Sequence, residues 1–275
     1  MLVELPEPFD WELSTERFRA FGPDPANLWV EGRVHRVFDG REVAIGEARG
    51  GVEIEPGDPA LAGPVRRFLG EPFDLDGFAR FAVSDSVLAG VVEALRGLRP
   101  PLSPDPYEAL VSSITAQQVS LQSAFAIRAR LVRRFGVAHA TPWAFPTRER
   151  LAEAAPAELR ELGFSGRKAE YVVSLAQSPL DLDSLGALPD DEVKLTLTAL
   201  PGIGEWTADW FLARHLARPD AWPAGDLAVR KAVSAFYLEG RIGSTDEVRA
   251  FGERFSPFRN LTAHYLLVGH RVLPR

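Results

Sequence analysis

The chain has 275 residues, 46% hydrophobic and 25% charged, which is enough for one large domain or two and typical of a globular protein. It contains no cysteine, which excludes disulfides, zinc thiolate sites and cysteine-ligated iron–sulfur clusters, and no apolar run approaches the roughly 20 residues that span a bilayer. A net charge of −7 argues against a nucleic-acid partner unless the charges segregate.

Segregation is visible along the sequence. Arg128, Arg130, Arg133 and Arg134 cluster, as do Arg167 with Lys168 and Arg230 with Lys231. Acidic residues gather between Glu71 and Asp76 and between Asp181 and Glu192. Solvated helix faces and a locally basic binding face are both open readings. The N-terminus has no basic segment followed by an apolar core, so it does not read as a signal peptide, and a cytoplasmic location is the default.

Residues 28–56 alternate. Leu28 and Val30, Val34 and Phe38, Val43 and Ile45, and Val52 and Ile54 mark short strands. Asp39-Gly40 and Gly50-Gly51 are turn signals, so a small antiparallel sheet is expected. From about Pro59 the period becomes helical and stays so. Helices are predicted over Val87–Leu98 and Tyr107–Ala116. A third carries the apolar stripe Ala124, Ile127, Leu131, Val132 and Phe135, with the clustered arginines largely on its other faces. Arg99 to Pro106 is proline-rich and reads as a linker or sharp turn. Arg148 to Leu162 is a further helical segment that Gly163 ends, Gly166 reopens the chain into Lys168 to Gln177, and Pro189-Asp190 starts another helix. The expectation is an α+β protein, with a β-rich unit at residues 1–72 and a helical body at residues 73–275.

The stretch from Leu200 to Val233 carries the chemistry. Pro201-Gly202-Ile203-Gly204 sits between two apolar periodic segments and spells helix, tight hairpin, helix. Outward N–H groups at the start of the second helix suit an anion such as phosphate, and the two glycines would let a DNA backbone approach closely. An ordinary turn between packed helices is the plain alternative. Asp226, 22 residues after Gly204, opens another helix as an N-cap. An ionised carboxylate beside a phosphate site does not help binding. It makes sense where positive charge develops, as on a sugar losing its base. Trp206 and Trp210 are four apart, hence on one helical face, and their ring faces could hold a cationic methylated purine. Trp222 reads as core or as pocket wall. Gln117-Gln118 lies where a helix ends, either as a solvated terminus or as a wedge filling the gap left by an extruded base. The five histidines show no metal-ligand spacing.

With these residues in place the chain resembles the 3-methyladenine DNA glycosylase II branch of the helix-hairpin-helix DNA glycosylase superfamily. The likeness runs from Pro8-Phe9-Asp10-Trp11 through Asp105 to Glu108, Ile114 to Ser120, Phe145-Pro146-Thr147, Leu162-Gly163, Pro201 to Ala208 and Asp226 to Pro257-Phe258-Arg259. It implies a base-flipping enzyme of base excision repair, acting without cofactor or metal on double-stranded DNA with damaged bases, expected as a monomer with no membrane association. Asp226 would be its catalytic carboxylate. The implied base pocket is Trp206, Trp210, Trp222 and Tyr107. Pro201, Gly202, Ile203, Gly204 and Thr207 would hold the DNA backbone, and Gln118 with Gln117 would supply the wedge. Bifunctional members of the superfamily carry a Schiff-base lysine where this chain has Trp206, so a monofunctional hydrolase is implied. A non-catalytic DNA-binding module and a strand-nicking glycosylase are the alternatives. The chain departs from the best-known bacterial members at Gln118, where they have an apolar wedge, and at Leu267, where they have an aromatic pocket residue.

Overall fold

The structure, a computed structural model, describes residues 1–274. Five antiparallel strands open the chain: β1 (Leu2–Glu4), β2 (Leu28–Val30), β3 (Arg33–Phe38), β4 (Arg41–Ala48) and β5 (Gly51–Glu55), in the sheet order β1-β5-β4-β3-β2. The β3–β4 turn places Asp39 and Gly40 at φ +47° and +75°, the left-handed pair that a two-residue hairpin requires. Strand β1 was not expected. It is three residues long and buries only Val3, opposite Val52, so it leaves no alternation to read. The buried face of the sheet, with Val34, Phe38, Val43, Ile45, Val52 and Ile54, packs against α1 (Trp11–Thr15), α2 (Arg17–Ala20) and α3 (Ala62–Phe68) through Trp11, Phe18, Val65 and Phe68.

That core runs from Val3 to Leu69, and a second core begins at Phe73. The second is built by α4 (Leu75–Ala82), α5 (Ser86–Ala94), α6 (Pro106–Ala116), α7 (Leu121–Phe135), α8 (Arg148–Ala152), α9 (Pro156–Glu161), α10 (Gly166–Gln177), α11 (Asp190–Thr198), α12 (Glu205–Arg214), α13 (Leu227–Tyr237), α14 (Thr245–Gly252) and α15 (Arg259–Val272). Among the described residues no helix is long and apolar enough to cross a membrane.

Three details differ from the sequence reading. The segment 148–162 is two helices, because Pro156 lacks an N–H and opens α9 as its first residue. The helical body contains a ribbon, β6 (Val137–Ala138) with β7 (Trp143–Ala144), too short to show a period of two. Arg99 to Leu102 is not an exposed linker. Its prolines bring no N–H to satisfy, and buried Arg99 donates to the carbonyls of Pro6, Gly70 and Phe73, so the segment is a tie between the two cores.

A buried ionic network makes a second tie. Arg36 points into the core side of β3 and pairs with Glu108 of α6. Glu108 also accepts from Arg128 of α7 at 2.6 Å, and Arg128 reaches Asp24 at 3.0 Å. Arg128 is therefore not on a solvated face. It sits one turn after Ala124, and its guanidinium lies 4.7 Å from the centroid of the Phe145 ring. Burial pushes the Glu108 carboxyl up, but Arg36 and Arg128 outweigh it and hold it down at about 2. Glu108 thus contributes stability above its ordinary range near pH ~4.3, and that contribution is lost as pH falls toward 2. Glu108→Ala, which orphans two buried cations, is expected to cost about 3–5 kcal/mol in denaturant unfolding. Glu108→Gln should flatten the fall in stability between about pH 4.5 and 2. An unchanged acid slope would show that the network does not carry this stability.

Candidate active site

Helices α11 and α12 are joined by the hairpin Pro201-Gly202-Ile203-Gly204. Gly202 has φ +78°, and a Cβ there would lie 2.1 Å from the Tyr171 ring, so both conformation and space demand glycine. Gly204 is different: it has no left-handed φ and open space around it. It caps α12 without a side-chain bond, and the amides of Gly204 and Glu205 have no acceptor among the described residues. Ile203 is buried in the core, and Pro201 is exposed. The Gln117 amide group donates to the Gly202 carbonyl at 2.9 Å and to Thr207 Oγ1 at 3.2 Å, fastening the end of α6 to the hairpin.

Asp226 caps α13. Its Oδ1 accepts from the backbone amides of Ala228 at 2.7 Å and Val229 at 3.1 Å. Its Oδ2 accepts from the indole N–H of Trp206 at 2.7 Å and of Trp210 at 3.0 Å. The two tryptophans reach one oxygen because they are one turn apart on α12. Two backbone and two indole donors thus fix one carboxylate whose position does not depend on a flexible side-chain contact. Such a charge stabilises a cation forming beside it.

The carboxylate lines a cavity of about 1040 Å³. Its walls come from both cores: Leu13 and Arg17 from the N-terminal unit, the α6–α7 turn, α12, the start of α13, and His264 and Leu267 of α15. Among the described residues no group of three or more His, Asp or Glu converges on a metal position.

The expected site residues divide. Asp226, Trp206, Trp210, Gly204, Thr207, Gln117 and Gln118 share this cavity, and Leu267 lies on its wall. Trp222 does not: it is buried against Phe255 and Gly252 and donates to the Val248 carbonyl, so it is core. Tyr107 is also core, in the first turn of α6 and away from the cavity. Thr207 faces inward as the partner of Gln117 rather than outward on the hairpin. Gln117 is likewise committed to the hairpin. Gln118 is exposed at φ +53°, an uncommon conformation for a residue with a side chain, at the tip where α6 turns into α7. Exposed Val119 and Leu121 flank it and make the tip apolar, a feature their place beside Gln118 in the sequence could have shown.

The indoles serve Asp226 by their N–H edges, which leaves their faces a separate matter. One face of Trp210 is taken by the Arg214 guanidinium, 3.6 Å from the ring centroid, and buried His264 meets the same ring edge-on. Arg17, Arg214 and His264 line the cavity and were not singled out from sequence. The spacing Trp206, Trp210, Arg214 on one helical stripe is the signal that could have found Arg214.

A family profile described as HhH-GPD superfamily base excision DNA repair protein matches residues 111–257. The solved 3-methyladenine DNA glycosylase from Archaeoglobus fulgidus superposes with a TM-score of 0.88 at 31% identity, covering 99% of both chains. The DNA-3-methyladenine glycosylase 2 of Escherichia coli is 28% identical over 238 residues, 80% of this chain and 81% of that protein. An 8-oxoguanine glycosylase/lyase of Clostridium acetobutylicum, solved with double-stranded DNA, shares the fold with a TM-score of 0.81 at 20% identity, covering 96% of this chain and 92% of that one. Three curated bacterial relatives are spanned over 65%, 70% and 81% of their own lengths, the first just short of two thirds.

The two hairpin glycines separate structure from access. Gly202→Ala is expected to cost well over 1 kcal/mol in chemical denaturation, through strain and the Tyr171 clash. Gly204→Ala should cost under about 1 kcal/mol, since only an N-cap preference changes. Equal losses would refute this division.

Proposed function

The chain belongs to the HhH-GPD superfamily of base excision DNA repair proteins, and on that premise we propose that it hydrolyses the N-glycosidic bond of alkylated purines in DNA. The observation that carries this reading is the fixed carboxylate of Asp226 on the wall of a cavity with ample room for an extruded base, one helix away from a hairpin with free backbone amides. Its relatives named as 3-methyladenine glycosylases support the substrate class.

In this reading the amides of Gly204 and Glu205 hold a phosphate of the duplex. The damaged nucleotide turns out into the cavity, and Gln118 at the α6–α7 tip enters the gap. As the C1′–N9 bond of the purine stretches, positive charge grows on the sugar and meets Asp226. Water adds to C1′ and leaves an abasic site. No lysine occupies the position of Trp206, so no Schiff base forms there. Lys231, exposed at the cavity edge, is the one lysine on its lining. The working form is a monomer in the cytoplasm, acting on double-stranded DNA with damaged bases.

Asp226→Asn is the central test. Asn caps helices as well as Asp does, but here its NH₂ must face either two indole N–H groups or two backbone amides. Excision in single-turnover assays is expected to fall by about 10²–10³ or more, with DNA binding retained and stability lower by about 1–3 kcal/mol. Trp206→Phe, which removes one donor and keeps the carboxylate, should lose less activity. Wild-type excision by the Asn variant would sink the catalytic assignment.

Borohydride added during turnover should trap no protein–DNA adduct, with wild type or with Lys231→Gln. An adduct that disappears in the Lys231 variant would make the enzyme a lyase instead. Replacing Gly204 by Val should weaken binding of damaged and undamaged duplexes alike, since a phosphate contact carries no lesion information. A loss confined to damaged DNA would move the hairpin into the base pocket.

A further inference from the structure

Part of the wall of the cavity that holds Asp226 is cationic. Of the carboxylates lining it, Asp24, Glu108 and Glu16 are engaged by Arg128, Arg36 and Arg271. Arg17 and Arg214 line the same cavity and form no hydrogen bond or ion pair among the described residues, with Asp24 and Glu16 the nearby carboxylates that attract Arg17. Arg214 is stacked on Trp210, and its Nε is buried with nothing to donate to. The Nε2 of His264, on the same wall, is buried and equally unpartnered. Burial and the neighbouring Arg17 push Arg214 down to about 9, which leaves it a cation at neutral pH. Burial, with Arg214, Arg17 and Arg271 around it, pushes His264 well down, so it is a neutral imidazole there.

Unsatisfied buried donors ask for acceptors. A cationic base, such as a purine methylated at N3 or N7, brings positive charge to two guanidiniums and finds one face of Trp210 already covered, with the Trp206 ring the aromatic surface left to it. A neutral purine with a carbonyl on its ring brings the missing acceptor. The leaving-group chemistry points the same way. When the C1′–N9 bond breaks, its electron pair stays with the purine. A cationic base departs neutral and gains nothing from nearby cations. A neutral base departs with negative charge spread over its carbonyl oxygen and ring nitrogens, and guanidiniums beside it stabilise that charge. Water supplies its oxygen to C1′, and its proton ends on the base.

We propose that Arg17 and Arg214 are specificity-determining residues that bias this cavity toward neutral, carbonyl-bearing purines such as N1-methylguanine over cationic alkylated purines. This rests on the glycosylase reading above and names the substrate class of that site. Arg17 comes from the N-terminal unit, so that unit selects the base as well as supporting the fold.

The test uses one purine in two charge states. N1-methylguanine and N7-methylguanine share the C6 carbonyl and differ in charge, and hypoxanthine is a neutral third probe. Single-turnover base release is measured from duplexes carrying each. Arg17→Met touches neither tryptophan nor Asp226 and is expected to slow N1-methylguanine and hypoxanthine release at least tenfold, with N7-methylguanine release unchanged or faster. Arg214→Lys keeps the charge and should lose less than Arg214→Met. Thermal melts check that each variant is folded. Equal losses on all three bases would overturn the proposal. So would wild-type release of N7-methylguanine with none of either neutral base. Failure of the wild type to release any base from any duplex would overturn the glycosylase reading itself, and this inference with it.

Discussion

The site depends on one carboxylate held by four N–H donors. Two come from the first turn of α13 and need only that Asp226 be its cap. The other two come from α12, and they set its rotation and height, because Trp206 and Trp210 must both reach Oδ2. Once α12 is so placed, the rest of its cavity face follows. Its N-terminus carries the hairpin, and its next turn after Trp210 carries Arg214. The opposite face, with Ala208, Phe211 and Leu212, is buried in the core. A ten-residue helix therefore links the proposed phosphate grip, the carboxylate and the cationic wall in a single rigid register.

The N-terminal unit is more than an accessory sheet. Arg36 reaches across to Glu108, Arg99 reaches back to Pro6, Gly70 and Phe73, and Tyr265 donates to the Leu98 carbonyl beneath them. These ties are polar and buried, so they are directional. They fix where α1 and α2 sit, and with them Arg17 on the cavity wall. A purely apolar interface would tolerate sliding of the two cores.

Much of this was legible in the sequence. Alternation and turn glycines located four of the five strands, and the Pro-Gly-Ile-Gly hairpin and the Asp226 cap stand where spacing put them. What failed shares one cause: a residue type says what a side chain can do but not which way it faces. Arg128 read as a surface residue, on a solvated or a locally basic face, and is buried between two carboxylates. Trp222, left open as core or pocket wall, and Tyr107, which the resemblance put in the pocket, are core. The prolines of residues 99–106 read as a linker or sharp turn because they break helices, yet the lack of N–H groups at Pro100 and Pro101 helps residues 99–102 to be buried. The indoles were read by their faces, and the bonds from their edges to Asp226 went unread. Arg17 carried no local signal, since its meaning comes from a wall built 190 and more residues away in sequence by Trp210, Arg214 and His264.

The four donors on Asp226 also bear on how this chain could change over generations. Two oxygens absorb four N–H groups there, three of them part-buried, so almost any other residue at that position strands donors as well as removing charge. A lineage that had no further use for the reaction could not simply let this residue drift. It would have to exchange Trp206 and Trp210 in step, or pass through poorly folded intermediates. Loss of the carboxylate and loss of the tryptophan pair should therefore travel together among descendants, and an inert copy of this fold would be recognisable by an empty stripe on its hairpin helix.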